Sequence, residues 1–128
     1  LECVNLKDEM KKAKRNNRLF GTDNFRSWML YFVPGDGTDM HFHANPETFL
    51  VYSGSGVVKG LKGEERPINK DDVLCLAAKD YYQIVNTGTE PLVLFGNRSE
   101  GFGGPHILAD GSDRRDVRAR GERSGGSN

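Results

Sequence analysis

Hydrophobic positions fall into two textures along the chain. Residues 6–17, LKDEMKKAKRNN, set Leu6, Met10 and Ala13 at helical spacing among charges, which predicts a short amphipathic helix, only marginally stable alone. Asn5 is its expected N-cap and Asn16-Asn17 its expected stop. From Phe25 the pattern changes. FRSWMLYFV, residues 25–33, is rich in aromatic and branched side chains and ends at Pro34-Gly35, a strand followed by a turn.

Similar runs recur at 39–43, 47–53, 56–61, 65–68, 73–77, 81–86 and 91–97. Gly54-Ser55-Gly56, Lys62-Gly63-Glu64, Lys70-Asp71-Asp72 and Asn86-Thr87-Gly88 punctuate them as turns. Short strands at this spacing predict an all-β antiparallel sandwich or barrel. Runs 25–33 and 91–96 are apolar on both alternating faces. One face fills the barrel, and a partner subunit is the simplest cover for the other, so a homodimer is expected.

The domain plan is a helix and lead-in over 1–24, a barrel over 25–97, an extension over 98–109 and a flexible charged tail over 110–128. That tail, DGSDRRDVRARGERSGGSN, mixes arginines with acids, glycines and serines and reads as solvated chain.

Composition narrows the function classes. A chain of 128 residues is one domain, and 18 Lys plus Arg balance 18 Asp plus Glu, so no global charge recruits nucleic acid or an anionic membrane. No apolar run approaches the ~20 residues of a membrane helix, and no signal-peptide core stands near the N-terminus. The chain opens at Leu1 rather than Met, which leaves a removed leader open. Cys3 and Cys75 are too few and too far apart for a disulfide framework. A cytoplasmic protein is expected, with a single Cys3–Cys75 bridge as the alternative.

Chemistry concentrates in GDGTDMHFHANPETFLVYSGSG, residues 35–56. In a strand His41 and His43 point the same way and Phe42 the other. The turn Ala44-Asn45-Pro46 then returns Glu47 beside them. Two imidazoles and a carboxylate with open positions suit iron, and also manganese, nickel, cobalt or zinc. The competing reading is a pair of histidines hydrogen-bonded to water. Asp39 shares their parity, as a further inward polar group or a partner to a ligand.

Residues 35–54 resemble the first motif of the cupin superfamily, G-x5-H-x-H-x3-E-x6-G, at Gly35, His41, His43, Glu47 and Gly54. Residues 71–86, DDVLCLAAKDYYQIVN, resemble the second, G-x5-P-x-G-x2-H-x3-N, in part. Asn86 agrees, but Asp71 and Lys79 stand for the two glycines, Ala77 for the proline and Tyr82 for the histidine. The resemblance implies a small double-stranded β-helix, usually dimeric, with one divalent transition metal, iron foremost, inside the barrel mouth. It carries the ligand role to His41, His43 and Glu47, with Tyr82 at the fourth position.

Tyr82 then has three readings: a phenolate ligand, a phenol standing off the ion as acid, base or donor, or the mark of lost metal binding. Glu47 and Tyr82 are the candidate catalytic groups. Met29, Tyr31, Asp39, Phe49, Val51 and Cys75 are the expected pocket residues, with Cys75 also read as a packed hydrophobe. Trp28 or Phe32 would then face the partner subunit. His106, beyond the strands, is read as a loop histidine near solvent, with a fold-back replacement ligand as the alternative. Residues 101–105 form a flap or an ordinary surface loop.

The functional expectation is a metal enzyme acting on a small anionic or carbonyl-containing molecule, as an iron dioxygenase or a Lewis-acid lyase, isomerase or decarboxylase. The alternative is a non-catalytic small-ligand-binding cupin, with or without metal. No nucleic-acid partner and no membrane partner is expected.

Overall fold

The computed structural model describes residues 1–101 and 106–113. The expected tail beyond residue 113 and residues 102–105 of the expected flap lie outside them. The elements are helix α1 (Leu6–Met10) and strands β1 (Asn16–Gly21), β2 (Arg26–Phe32), β3 (His41–Phe42), β4 (Glu47–Ser53), β5 (Ser55–Lys59), β6 (Glu65–Asn69), β7 (Val73–Leu76), β8 (Gln83–Val85), β9 (Leu92–Arg98) and β10 (Ile107–Leu108).

They form a five-stranded sheet ordered β1-β2-β9-β4-β7, a three-stranded sheet ordered β6-β5-β8 and the pair β10-β3, all antiparallel. The predicted all-β barrel is therefore present. Two elements near the N-terminus differ from expectation. Asn5 caps α1 as predicted, its side chain accepting from the Asp8 amide, but the helix ends at Met10. Ala13 then takes a left-handed φ of 50°, and Asn16–Gly21 pairs with β2 as an edge strand instead of continuing a helix. The sheet offers this segment hydrogen bonds that a short, poorly nucleated helix does not.

The inward face is built in cross-strand rows. Arg26, Arg98, Glu47 and Leu76 lie abreast across β2, β9, β4 and β7. Trp28, Gly96, Phe49 and Leu74 form the next row, and Leu30, Leu94 and Val51 the one after. Gly96 is what the second row needs: a Cβ there would lie 2.6 Å from Phe49 and 2.9 Å from Trp28. With that space free, the two rings meet edge-on at 5.5 Å. Trp28, Leu30, Phe32, Phe49, Val51, Leu92 and Leu94 pack against Ile68, Tyr82 and Ile84 from the opposite side, each contributing about 1.5–3 kcal/mol by leaving water.

Two expectations about sidedness are corrected here. Trp28 and Phe32 face the core, not a partner. Met29 and Tyr31, one residue out of phase with them, lie on the outer face. Met29 sits between Asn17 and Phe95 in register, and Tyr31 lines a groove with Met10, Ala13 and Pro91.

The chain passes from the large sheet to the small one at Gly54. Its φ is +84°, and a Cβ would stand 2.2 Å from the Pro91 carbonyl, so only glycine turns this corner. Asp71 and Lys79 also adopt left-handed φ values of 76° and 65°. These are the two places where the second motif has glycine, and the backbone keeps the glycine conformation without the residue.

Candidate metal centre

Three elements converge at the end of the barrel above the Trp28–Phe49 row. β3 supplies His41, with His43 just beyond it, β4 opens with Glu47, and His106 immediately precedes β10. β10 lies antiparallel on β3, Leu108 opposite His41 and Ile107 opposite Phe42. The Tyr81 hydroxyl donates to the Leu108 carbonyl at 3.2 Å and fastens the segment from outside. His41 and Tyr82 exchange both backbone hydrogen bonds, at 2.8 and 3.0 Å, which sets the phenol beside the imidazoles.

His41, His43 and His106 each present one ring nitrogen, and these atoms all lie within 4.8 Å of one another. The rings are at 0%, 3% and 4% exposure. His106 stacks on His41 with centroids 4.1 Å apart, and both stand nearly perpendicular to His43. His41 Nδ1 lies 2.7 Å from the Asp39 carbonyl oxygen. As donor to that oxygen, Nδ1 carries the proton and Nε2 keeps its lone pair. Burial pushes His41 down to about 3, so the ring is neutral at ordinary pH, the state in which imidazole ligates. Its Nε2 is buried and makes no hydrogen bond. A neutral nitrogen left so in the interior fits an ion well.

Glu47 borders the triad, with Oε1 4.0 Å from His43 Nε2. Tyr82 donates its hydroxyl to the same oxygen. Arg98 donates from Nη1 to Oε2 at 3.1 Å. Burial pushes the Glu47 carboxyl up to about 7, opposed by the Tyr82 hydrogen bond and the Arg26 charge. Burial, with the neighbouring Glu47 charge, raises Tyr82 well above the usual phenol range. Tyr82 is therefore a protonated donor whose hydroxyl is engaged on Glu47, and the third histidine at the site is His106.

The pocket expectations fare unequally. Phe49 and Val51 point inward, as the floor and wall beneath Glu47. Asp39 meets His41 through its main-chain oxygen. Met29 and Tyr31 are on the outer face, and Cys75 is exposed opposite Thr48, outside the barrel rather than in it. Cys3 is likewise exposed and both thiols are free, so the alternative of a Cys3–Cys75 bridge is absent.

Of the two readings of His106, the loop histidine near solvent is corrected: the residue is buried in the cluster, where the fold-back alternative puts it. The signal was present. When the second motif lacks its histidine, the next one along the chain deserves the ligand test, and here it directly precedes the strand-forming pair Ile107-Leu108. Arg26 and Arg98, both buried beside Glu47, were not singled out at all.

The double-stranded β-helix fold is matched by the comparisons. Residues 28–95 match the sequence profile of the cupin domain family, and the chain belongs to that family. It is similar to auxin-binding protein 1 of Arabidopsis thaliana, 32% identical over 82 residues, covering 58% of this chain and 41% of that protein. The chain thus spans less than half the length of that relative. Among solved structures, a Bacillus halodurans protein superposes with a TM-score of 0.73 at 19% identity, covering 82% of this chain and 86% of that one. The DMSP lyase DddQ of Ruegeria pomeroyi superposes at 0.61 with 13% identity, covering 71% of this chain and 46% of that one. Both structural likenesses are of fold. No helix among the described residues is long and apolar enough to cross a membrane.

Proposed function

We propose that this chain is a metal-dependent cupin enzyme acting on a small molecule that carries a carboxylate or carbonyl group. The observation that carries the reading is the buried triad of His41, His43 and His106, its ring nitrogens within 4.8 Å, beside the hydrogen-bonded pair Glu47–Tyr82. Nitrogen and carboxylate donors with open positions favour iron, and manganese, nickel, cobalt and zinc also suit them. Such an ion supplies Lewis acidity toward a carbonyl or carboxylate oxygen or, for iron, redox chemistry with dioxygen.

The chain's own groups favour the first of these. Tyr82 holds a proton at its hydroxyl in a buried site, and Glu47 is its acceptor. That arrangement suits a proton transfer to or from a bound substrate, as lyase, isomerase or decarboxylase chemistry requires. Trp28 and Phe49, packed edge-on with ring centroids 5.5 Å apart, form the apolar layer beneath Glu47. A fold neighbour being a lyase agrees with this reading.

The similarity to a protein named for binding auxin supports a second reading, a cupin that holds a small ligand without chemistry. Metal-reconstituted protein offered a panel of small carboxylic and oxo acids, auxin included, separates them by mass spectrometry of products with and without oxygen. Oxygen-independent turnover that disappears in Tyr82→Phe, with ligand affinity kept, is the expected result. Tight binding with no product would overturn the enzyme reading in favour of the second.

A further inference from the structure

Arg98 has no role in the proposed chemistry, yet it is buried beside the site and held from several sides. Its side chain is fully buried, with the guanidinium 5.3 Å above the Trp28 ring. It stands directly across from Glu47 in the β4–β9 register. Nη1 donates to Glu47 Oε2 at 3.1 Å, and Nε pairs with Glu100 Oε1 at 3.3 Å. Arg26, in register with Arg98 on the other side, lies 5.1 Å over the same indole. Charge, hydrogen bond and ring stacking thus converge on one orientation of one side chain.

The geometry points to Arg98 as a positioning residue for the metal centre: it holds Glu47 by Oε2, so that Oε1, which accepts from Tyr82, is the oxygen left facing His43, with Glu100 paired to Arg98 from the other side. The inference rests on the metal-centre reading and adds how the carboxylate is presented. A carboxylate held this way would offer one oxygen rather than two to an ion held by the histidines. Arginine suits the task because its planar fork can serve two carboxylates from one buried plane, where a lysine serves as a point charge.

Cobalt(II) is the probe, added to metal-free protein and followed by its visible d–d absorption, with affinity from a competing chelator. In the wild type a saturable cobalt spectrum is expected. Arg98→Met should weaken cobalt about 10–100-fold, the usual cost of removing a group that orients a ligand, and change the shape of the d–d bands. Arg98→Lys, which keeps the charge but not the fork, should recover only part of the affinity and of the wild-type band shape. Glu100→Gln, at the edge of the site, should weaken cobalt a few-fold.

Circular dichroism reports whether each variant is folded; if Arg98→Met does not fold, Arg98→Lys and Glu100→Gln decide the matter. Folded variants with wild-type affinity and an unchanged spectrum would overturn the role of Arg98 and leave the metal centre standing. A wild type that takes up no cobalt would overturn the metal reading and this inference with it.

Discussion

The His106 imidazole lies stacked on that of His41, centroids 4.1 Å apart and planes 15° from parallel. Sixty-five positions separate them in sequence (106 minus 41), and only the short pairing of β10 on β3 brings them together. The histidine missing from the second motif is thereby replaced from a different strand. His106→Ala should cost at least as much metal affinity as the about 10–100-fold of an orienting residue, and as much as His41→Ala. Tyr82→Phe should leave affinity within a few-fold, because the phenol donates to Glu47 and is not the third nitrogen. Titration with a chelator-buffered metal checks all three.

Because His106 belongs to the β10 segment, metal binding should tie that segment down. Hydrogen exchange at the Ile107 and Leu108 amides should slow on adding metal, by about tenfold or more at saturation, while β9 amides in the core are unchanged. The Leu108 amide already donates to Ser112 at 2.8 Å, so its exchange reports opening of the segment. Equal exchange with and without metal would separate β10 from the site.

The pH dependence of the metal-free protein carries the signature of two buried groups acting in opposite directions. Glu47 is raised from 4.5 to about 7. The folded state therefore holds a proton that the unfolded state has lost, and stability falls as pH rises between those values. His41 is lowered from 6.5 to about 3. The unfolded state holds that proton, so stability rises with pH between about 3 and 6.5. The two nearly cancel from 4.5 to 6.5. Glu47→Gln removes the first and should steepen the stability profile by about 1.4 kcal/mol per pH unit in that window. Urea unfolding at a series of pH values, wild type against variant, measures the difference; parallel profiles would show that Glu47 is not perturbed by burial.

Left-handed backbone at Lys79 (φ 65°) costs about 1–2 kcal/mol for a residue with a Cβ. Lys79→Gly should relieve it at some entropic expense in the unfolded chain, for a net gain of about 0.5–1 kcal/mol. Asp71→Gly should gain less, since aspartate tolerates this conformation better. Thermal melts of the metal-free variants test both, and a loss of stability in Lys79→Gly would contradict the strain.

How far the sequence reaches is clear from particular elements. β2, β4, β6, β7, β8 and β9 fall within two residues of the alternating runs that predicted them, because buried strands need apolar alternation and turns need their own residue types. β1 escaped, since NNRLFG carries no alternation and is a strand only because β2 is there to pair with. Sidedness in FRSWMLYFV was unreadable from a run apolar on both faces. The deciding fact is across the sheet, where Gly96 makes room for Trp28. His41, His43 and Glu47 were legible because strand parity and one turn bring them together locally. His106 and Arg98 reach the site through pairings of distant strands, which local periodicity does not encode.

The most direct test is elemental analysis of freshly purified, untagged wild-type protein beside His106→Ala. The account predicts close to one transition-metal ion per chain in the wild type, iron foremost, and less than about a tenth of that in the variant, as expected where ligand count sets affinity. A wild type that is metal-free and stays so after anaerobic reconstitution, or a variant with full occupancy, would contradict it.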